Sequence, residues 1–228
     1  MNIIANSLQA IQANILEAKL GANRKDDVQL LAVSKAQGAE KLREAYLAGQ
    51  LAFGENYVQE AISKQMLLED CNIEWHFIGP IQSNKTQLIA QHFNWVHSVD
   101  RLKIAQRLSS ARSNRLPPLN ICIQINSSNE GSKSGVQTKA LEDLALAVTE
   151  LPNLTFRGLM SIPAATKDIA KQHTQFKIVK DTYTQLRENG FAIDTLSIGM
   201  SNDYVAAIAE GATIVRIGSA IFGARTRT

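Results

Sequence analysis

The chain has 228 residues, 45% of them hydrophobic, and a formal net charge of +3 from 24 basic against 21 acidic residues. That balance suits a globular chain able to bury a sizeable core without staples, and its scattered lysines and arginines exclude an electrostatic footprint for nucleic acid. Cys71 and Cys122 lie far apart and exclude a disulfide framework, which points to a reducing cytoplasm.

The first residues carry no basic segment ahead of an apolar one, so no signal peptide is expected, and no apolar run reaches membrane-spanning length. No C-x-x-C or His-rich spacing suggests a metal.

Residues 2–21 place Ile4, Leu8, Ile11, Ile15, Leu16 and Leu20 three and four apart, predicting an amphipathic helix stopped by Gly21. Residues 28–35 form the first strand, an apolar run that delivers Lys35 to its end. The pattern then reads helix Ala39–Ala48, strand Leu51–Gly54, helix Glu55–Leu68 and strand Glu74–Gly79. Ser83 is a candidate cap for a helix to about Gln91, Asn94–Val99 is a strand, and Asp100 is a candidate cap for helix Arg101–Ser113. After Pro117-Pro118 come strand Leu119–Asn126, a Ser/Asn/Gly-rich loop Ser127–Gly135 and helix Gln137–Glu150. Strand Leu154–Ile162, helix Asp168–Asn189, strand Asp194–Ile198, helix Asp203–Glu210 and strand Thr213–Ile217 complete the order.

Eight strands alternating with helices predict a parallel sheet with helices outside, and eight repeats predict a closed (β/α)8 TIM barrel over residues 1–228 with one extra N-terminal helix. A doubly wound sheet is the alternative, but the turn after the first strand lacks a glycine-rich nucleotide fingerprint.

Such a barrel places chemistry at the C-terminal ends of its strands. Lys35 stands there, with Asn56, His76, Ile78 and Met160 at other strand ends. Strands seven and eight end in Gly199-Met200-Ser201 and Arg216-Ile217-Gly218-Ser219. Glycines followed by hydroxyl residues offer free N–H groups and an O–H, a phosphate cradle. Barrel closure sets strand eight beside strand one, hence the cradle beside Lys35. A lysine next to a phosphate cradle suits a phosphorylated carbonyl compound held as a Schiff base, and pyridoxal 5'-phosphate (PLP) meets that description. Arg216, if inward-facing, would lie where a pyridine nitrogen sits; a structural ion pair is its other reading. A lone strand histidine is usually a hydrogen-bonded core residue, so His76 is assigned as pocket lining with Ile78 and Met160, not as acid or base. Lys133 lies in a loop able to close over the site.

The motifs Ala32-Val33-Ser34-Lys35, Phe53-Gly54-Glu55-Asn56, Trp75-His76-Phe77-Ile78-Gly79-Pro80, Gly158-Leu159-Met160, Ser197-Ile198-Gly199-Met200-Ser201-Asn202 and Arg216-Ile217-Gly218-Ser219 are familiar in this order. The chain resembles the pyridoxal phosphate homeostasis protein family, relatives of the N-terminal barrel of alanine racemase. The resemblance implies that Lys35 forms the Schiff base, that Ser201, Gly218 and Ser219 bind the phosphate, that Arg216 faces the pyridine nitrogen, and that Asn56 and Met200 lie near the ring. Ala36-Gln37-Gly38 departs from the family's usual Thr-x-Pro, which implies a looser loop after strand one.

A racemase needs an acid/base on each face of the cofactor. The chain ends at Thr228, soon after the barrel, with no second domain to supply the partner tyrosine, and Ala39 stands where alanine racemase has another. An uncharged pyridine nitrogen against Arg216 is also a poor electron sink. The expectation is a cytoplasmic, monomeric PLP carrier without robust catalysis, with apo PLP-dependent enzymes as acceptors and no metal, membrane or nucleic-acid partner. The alternatives are a PLP enzyme with weak amino-acid racemase activity, using His76 or Tyr57 as second base, and a barrel enzyme acting on a sugar phosphate.

Overall fold

In the computed structural model, which describes residues 3–127 and 134–223, eight parallel strands close into a barrel in sequence order, β1 through β8. The elements are α1 (Ile3–Gly21), β1 (Gln29–Val33), α2 (Ala39–Leu47), β2 (Ala52–Glu55), α3 (Val58–Leu67), β3 (Glu74–Phe77), α4 (Thr86–His92), β4 (Trp95–Val99) and α5 (Leu102–Ala111). They continue with β5 (Leu119–Gln124), α6 (Leu141–Thr149), β6 (Leu154–Met160), α7 (Ile169–Glu188), β7 (Thr195–Met200), α8 (Tyr204–Ala209), β8 (Ile214–Ile217) and α9 (Ser219–Phe222).

The expected alternation is present, and the differences are local. The short α9 follows β8 and has no counterpart in the predicted elements. Ser83 opens a 3-10 turn rather than capping α4, and its carbonyl accepts from the Thr86 hydroxyl at 2.9 Å. Asp100 does not cap α5; its carboxylate takes the Arg101 guanidinium at 2.6 Å. On α1 only Ile4, Leu8, Ile11 and Ile15 are buried, while Leu16 and Leu20 face outward. Helix α1 packs on α2, α8 and α9, over the seam where the barrel closes. Each fully buried leucine or isoleucine there contributes about 1.5–3 kcal/mol before entropy, so the seam is sealed by one four-residue stripe.

Strand alternation sends one set of side chains toward the helices and the other inside. The outward set builds the main core, with Phe53, Phe77, Phe93 and Phe176 fully buried. Inside the barrel are two small apolar groups, Leu31, Ala52 and Ile214 with Ile78, and Trp95, Cys122 and Met160. Polar side chains run through the interior beside them, as described below.

Candidate functional site

The closing seam positions the site. β1 and β8 pair in parallel with Leu31 opposite Arg216 and Ala32 opposite Ile217. Beyond the last pair, Gly218 lies against Val33: a Cβ added at Gly218 would stand 2.9 Å from the Val33 carbonyl oxygen. Lys35 shares the inward parity of Leu31 and Val33, and both Val33 and Lys35 line a cleft of about 1150 Å3 at this end of the barrel. Two smaller cavities among the described residues, of about 390 and 500 Å3, include no strand-end candidate.

All seven residues expected to hold a cofactor line the cleft: Lys35, Asn56, Met200, Ser201, Arg216, Gly218 and Ser219, with Ile78 as lining. Ser201 and Ser219 place their hydroxyl oxygens 3.5 Å apart. Gly199 makes this arrangement possible. Its φ of +91° falls in the region that favours glycine, and a Cβ there would meet the Ala207 Cβ at 2.6 Å. The bend shifts the β7 register against β8, so that Met200 pairs with Arg216 and Ser201 lies just past the strand end. The turn closes when Asp203 Oδ1 accepts the Met200 N–H at 2.6 Å. Burial pushes the Asp203 carboxyl above its ordinary range, opposed by the Met200 N–H and by the nearby charge of Arg216.

Arg216 is buried and, among the described residues, not part of an ion pair. Nη1 donates to the Ser197 carbonyl at 2.5 Å and to Ser197 Oγ at 2.9 Å, and Nη2 donates to the Ser161 carbonyl at 3.0 Å. Burial lowers its pKa to about 10, which leaves it charged at neutral pH. An arginine can only donate, so its cleft edge presents N–H groups to any ring acceptor. Asn56 presents the complement: its Oδ1 is buried without a hydrogen-bond partner among the described residues, a group that a ligand would satisfy.

The turn carrying Lys35 is firmer than the departure at Ala36-Gln37-Gly38 implied. Ala36 adopts φ +59°, its N–H donates to Glu60 Oε1 at 2.6 Å, and the Gln37 N–H closes on the Ser34 carbonyl at 3.1 Å. Beneath it, Lys64 donates to the Ser34 carbonyl, Glu55 Oε1 and Glu60 Oε1 at 2.8, 2.7 and 2.6 Å.

Two expected lining residues are elsewhere. His76 and Met160 are buried inside the barrel and do not line the cleft. Met160 packs with Trp95 and Cys122. His76 stacks on Trp95 with ring centroids 5.4 Å apart, and both its nitrogens are engaged, by Glu74 and His97. Tyr57, the other candidate second base, is exposed and also absent from the lining. Lys133 lies outside the described residues. Sequence reading missed the wall formed by 165–167 and by Ile169, Gln172 and His173 of α7, and missed Asp203 and Tyr204. The Pro163-Ala164-Ala165-Thr166 stretch ahead of Asp168, which caps α7 by accepting the Lys171 N–H, marked a top-face loop beside the cradle.

An amine, two hydroxyls beside a glycine, a buried guanidinium and an unsatisfied amide oxygen fit a small phosphorylated ring bearing a carbonyl group. Residues 7–226 match the family described as alanine racemase, N-terminal domain. The chain is 55% identical to the pyridoxal phosphate homeostasis protein of Pseudomonas aeruginosa, across 99% of this chain and 97% of that one. The chain belongs to this family. Its Escherichia coli K12 relative is 49% identical over 99% of this chain and 98% of that protein. The family fold recurs in PipY of Synechococcus elongatus, solved with PLP bound, at 34% identity and a TM-score of 0.86 over 96% of this chain and 100% of that one. The alanine racemase of Corynebacterium glutamicum shares the fold at 18% identity and a TM-score of 0.71, this chain matching 60% of its length.

Proposed function

We propose that this protein binds PLP as a Schiff base on Lys35 and takes part in intracellular PLP homeostasis, holding the cofactor rather than running a reaction with it. One observation carries the reading: barrel closure sets the Gly218-Ser219 turn against the end of β1, beside Lys35. When bound, PLP supplies an aldehyde that condenses reversibly with an amine. Lys35 contributes the amine, Ser201, Ser219 and Gly218 receive the phosphate, Arg216 meets the ring nitrogen, and Asn56 and Met200 flank the ring. Apo PLP-dependent enzymes in the cytoplasm are the acceptors of the released cofactor, and the carrier works as a monomer.

The purified protein is expected to show a Schiff-base absorbance band that hydroxylamine removes by releasing the cofactor and that borohydride removes by reducing the imine to an amine, which leaves the cofactor on the lysine. Lys35→Ala should lose the band while keeping its thermal transition; unchanged colour refutes the assignment.

The shared barrel favours a second reading, a weak amino-acid racemase. It needs a second base, and of the tyrosines in the described residues it is Tyr204 that lines the cleft. Steady isotope exchange at the α-carbon of alanine, lost in Lys35→Ala, would establish that reading over the carrier.

A further inference from the structure

Below the cleft, four polar side chains continue from Arg216 through the barrel interior. Ser197 Oγ accepts from Arg216 Nη1 at 2.9 Å and lies 2.9 Å from His97 Nδ1. His97 Nε2 lies 2.9 Å from His76 Nδ1, and His76 Nε2 lies 2.5 Å from Glu74 Oε1. Ser197, His97 and His76 are fully buried. The Glu74 side chain is 42% exposed at the opposite, N-terminal end of the strands.

Burial holds both imidazoles below their ordinary range, on His76 against the raising pull of Glu74 and on His97 with the neighbouring His76 and the Arg216 charge adding to the effect. With both rings neutral, the Glu74 end fixes the direction of every bond. The carboxylate can only accept, so His76 carries its proton on Nε2 and donates to it. His76 Nδ1 is then an acceptor, so His97 carries its proton on Nε2 and donates to it. His97 Nδ1 in turn accepts the Ser197 hydrogen, while the Ser197 oxygen accepts from Arg216, which has no acceptor. The result is a one-way column.

We infer that Glu74, His76, His97 and Ser197 form a positioning column that sets, from the far end of the barrel, how Arg216 presents its donors to the cleft. The inference rests on the reading that Arg216 meets the ring nitrogen of PLP. None of the four residues lines the cleft, so each acts through Arg216. The column also gives the barrel interior a reason to keep two imidazoles where apolar side chains would pack: a neutral imidazole joins an acceptor on one side to a donor on the other in a fixed plane.

The test has an arm that needs no cofactor. In protein stripped of PLP with hydroxylamine, long-range 1H–15N spectra at neutral pH should show His76 and His97 both neutral with the proton on Nε2. A charged ring, or a proton on Nδ1 of either, overturns the column. The second arm changes the half-exposed end, where the fold tolerates substitution. Glu74→Leu removes the final acceptor and should shift the His97 signals and weaken PLP retention about tenfold, the equivalent of misaligning one charge-assisted hydrogen bond. Glu74→Gln keeps an acceptor oxygen and should restore retention to within about twofold, on the same scale of a small fraction of one hydrogen bond. Unmoved His97 signals together with unchanged retention in Glu74→Leu overturn the inference. Failure of the wild-type protein to bind PLP sinks the cofactor reading instead, and the spectra of the stripped protein still decide the column.

Discussion

Lys64 offers the sharpest perturbation of the turn that carries Lys35. Its ammonium spends all three protons on Ser34 O, Glu55 Oε1 and Glu60 Oε1. Its side chain is 6% exposed and that of Glu55 is 0% exposed, with Glu55 Oε2 unpartnered among the described residues. Lys64→Met keeps the stem and removes the charge. Glu55 then retains the Ser34 hydroxyl at 2.6 Å as its single donor. Breaking a buried pair from one side costs about 3–5 kcal/mol, a large share of the roughly 5–15 kcal/mol that holds a typical domain. Glu55 has an escape, because it can take up a proton. Burial already pushes its pKa above the ordinary 4.5, against the lowering pull of Lys64 and Ser34. A raised folded-state pKa means that the folded protein binds this proton more tightly than the unfolded chain. The associated stability is therefore present below the ordinary value and lost as pH rises through the raised one. Lys64→Met removes the opposing pull and steepens that loss. Urea midpoints at about pH 5 and about pH 8 should diverge more for Lys64→Met than for wild type. Adding Glu55→Gln should recover much of the loss and flatten the pH dependence. A Lys64→Met protein within about 0.5 kcal/mol of wild type at both pH values would refute the account.

Arg216→Ala should weaken PLP retention roughly 10- to 150-fold, the equivalent of about 1.5–3 kcal/mol for a charge-assisted bond, read from cofactor release to an apo-enzyme acceptor. It should also lower the thermal transition of the stripped protein, because the buried Ser161 and Ser197 carbonyls lose the guanidinium as donor; retention equal to wild type makes Arg216 structural. On α1, Leu8→Ala should cost about 2–5 kcal/mol, whereas Leu16→Glu should stay within about 0.5 kcal/mol, and denaturation midpoints that reverse this order contradict the placement of the helix.

The barrel was legible in the sequence because alternation of strand and helix constrains topology strongly, and closure then follows from the repeat count. The cradle was legible for the same reason: Ser201 and Gly218-Ser219 end adjacent strands whatever the side-chain details. What escaped was anything decided by orientation inside the barrel. Trp75-His76-Phe77 shows a histidine on a strand, but not that its ring turns down toward Glu74 and His97 instead of up to the cleft. The alternation Trp95, His97, Val99 on β4 carries the same ambiguity. Leu16 and Leu20 matched the helical period and still face outward, since the period marks a face and not how far the barrel reaches along it. The turn at Ala36 was misjudged because its restraint comes from α3, through Glu60 and Lys64, twenty-four and more residues downstream.

The two cationic ends of the cleft are held by separate networks. Lys35 rides on a turn fastened outside the strands by Glu55, Glu60 and Lys64. Arg216 is fastened inside them by Ser197 and Ser161. The depths differ as well. Arg216 is 4% exposed, whereas Ser219 is exposed and Met200 is 37% exposed. On the proposed reading the ring nitrogen is therefore gripped deep in the barrel mouth, while the phosphate end stays near water among the described residues. An enzyme that protects a reactive carbanion gains from excluding water around the whole cofactor. A protein that must give its cofactor away gains from the opposite arrangement. On the proposed reading, an incoming amine would reach the Lys35 linkage from the phosphate side, and the deep grip on the ring would orient the ligand without sealing it in.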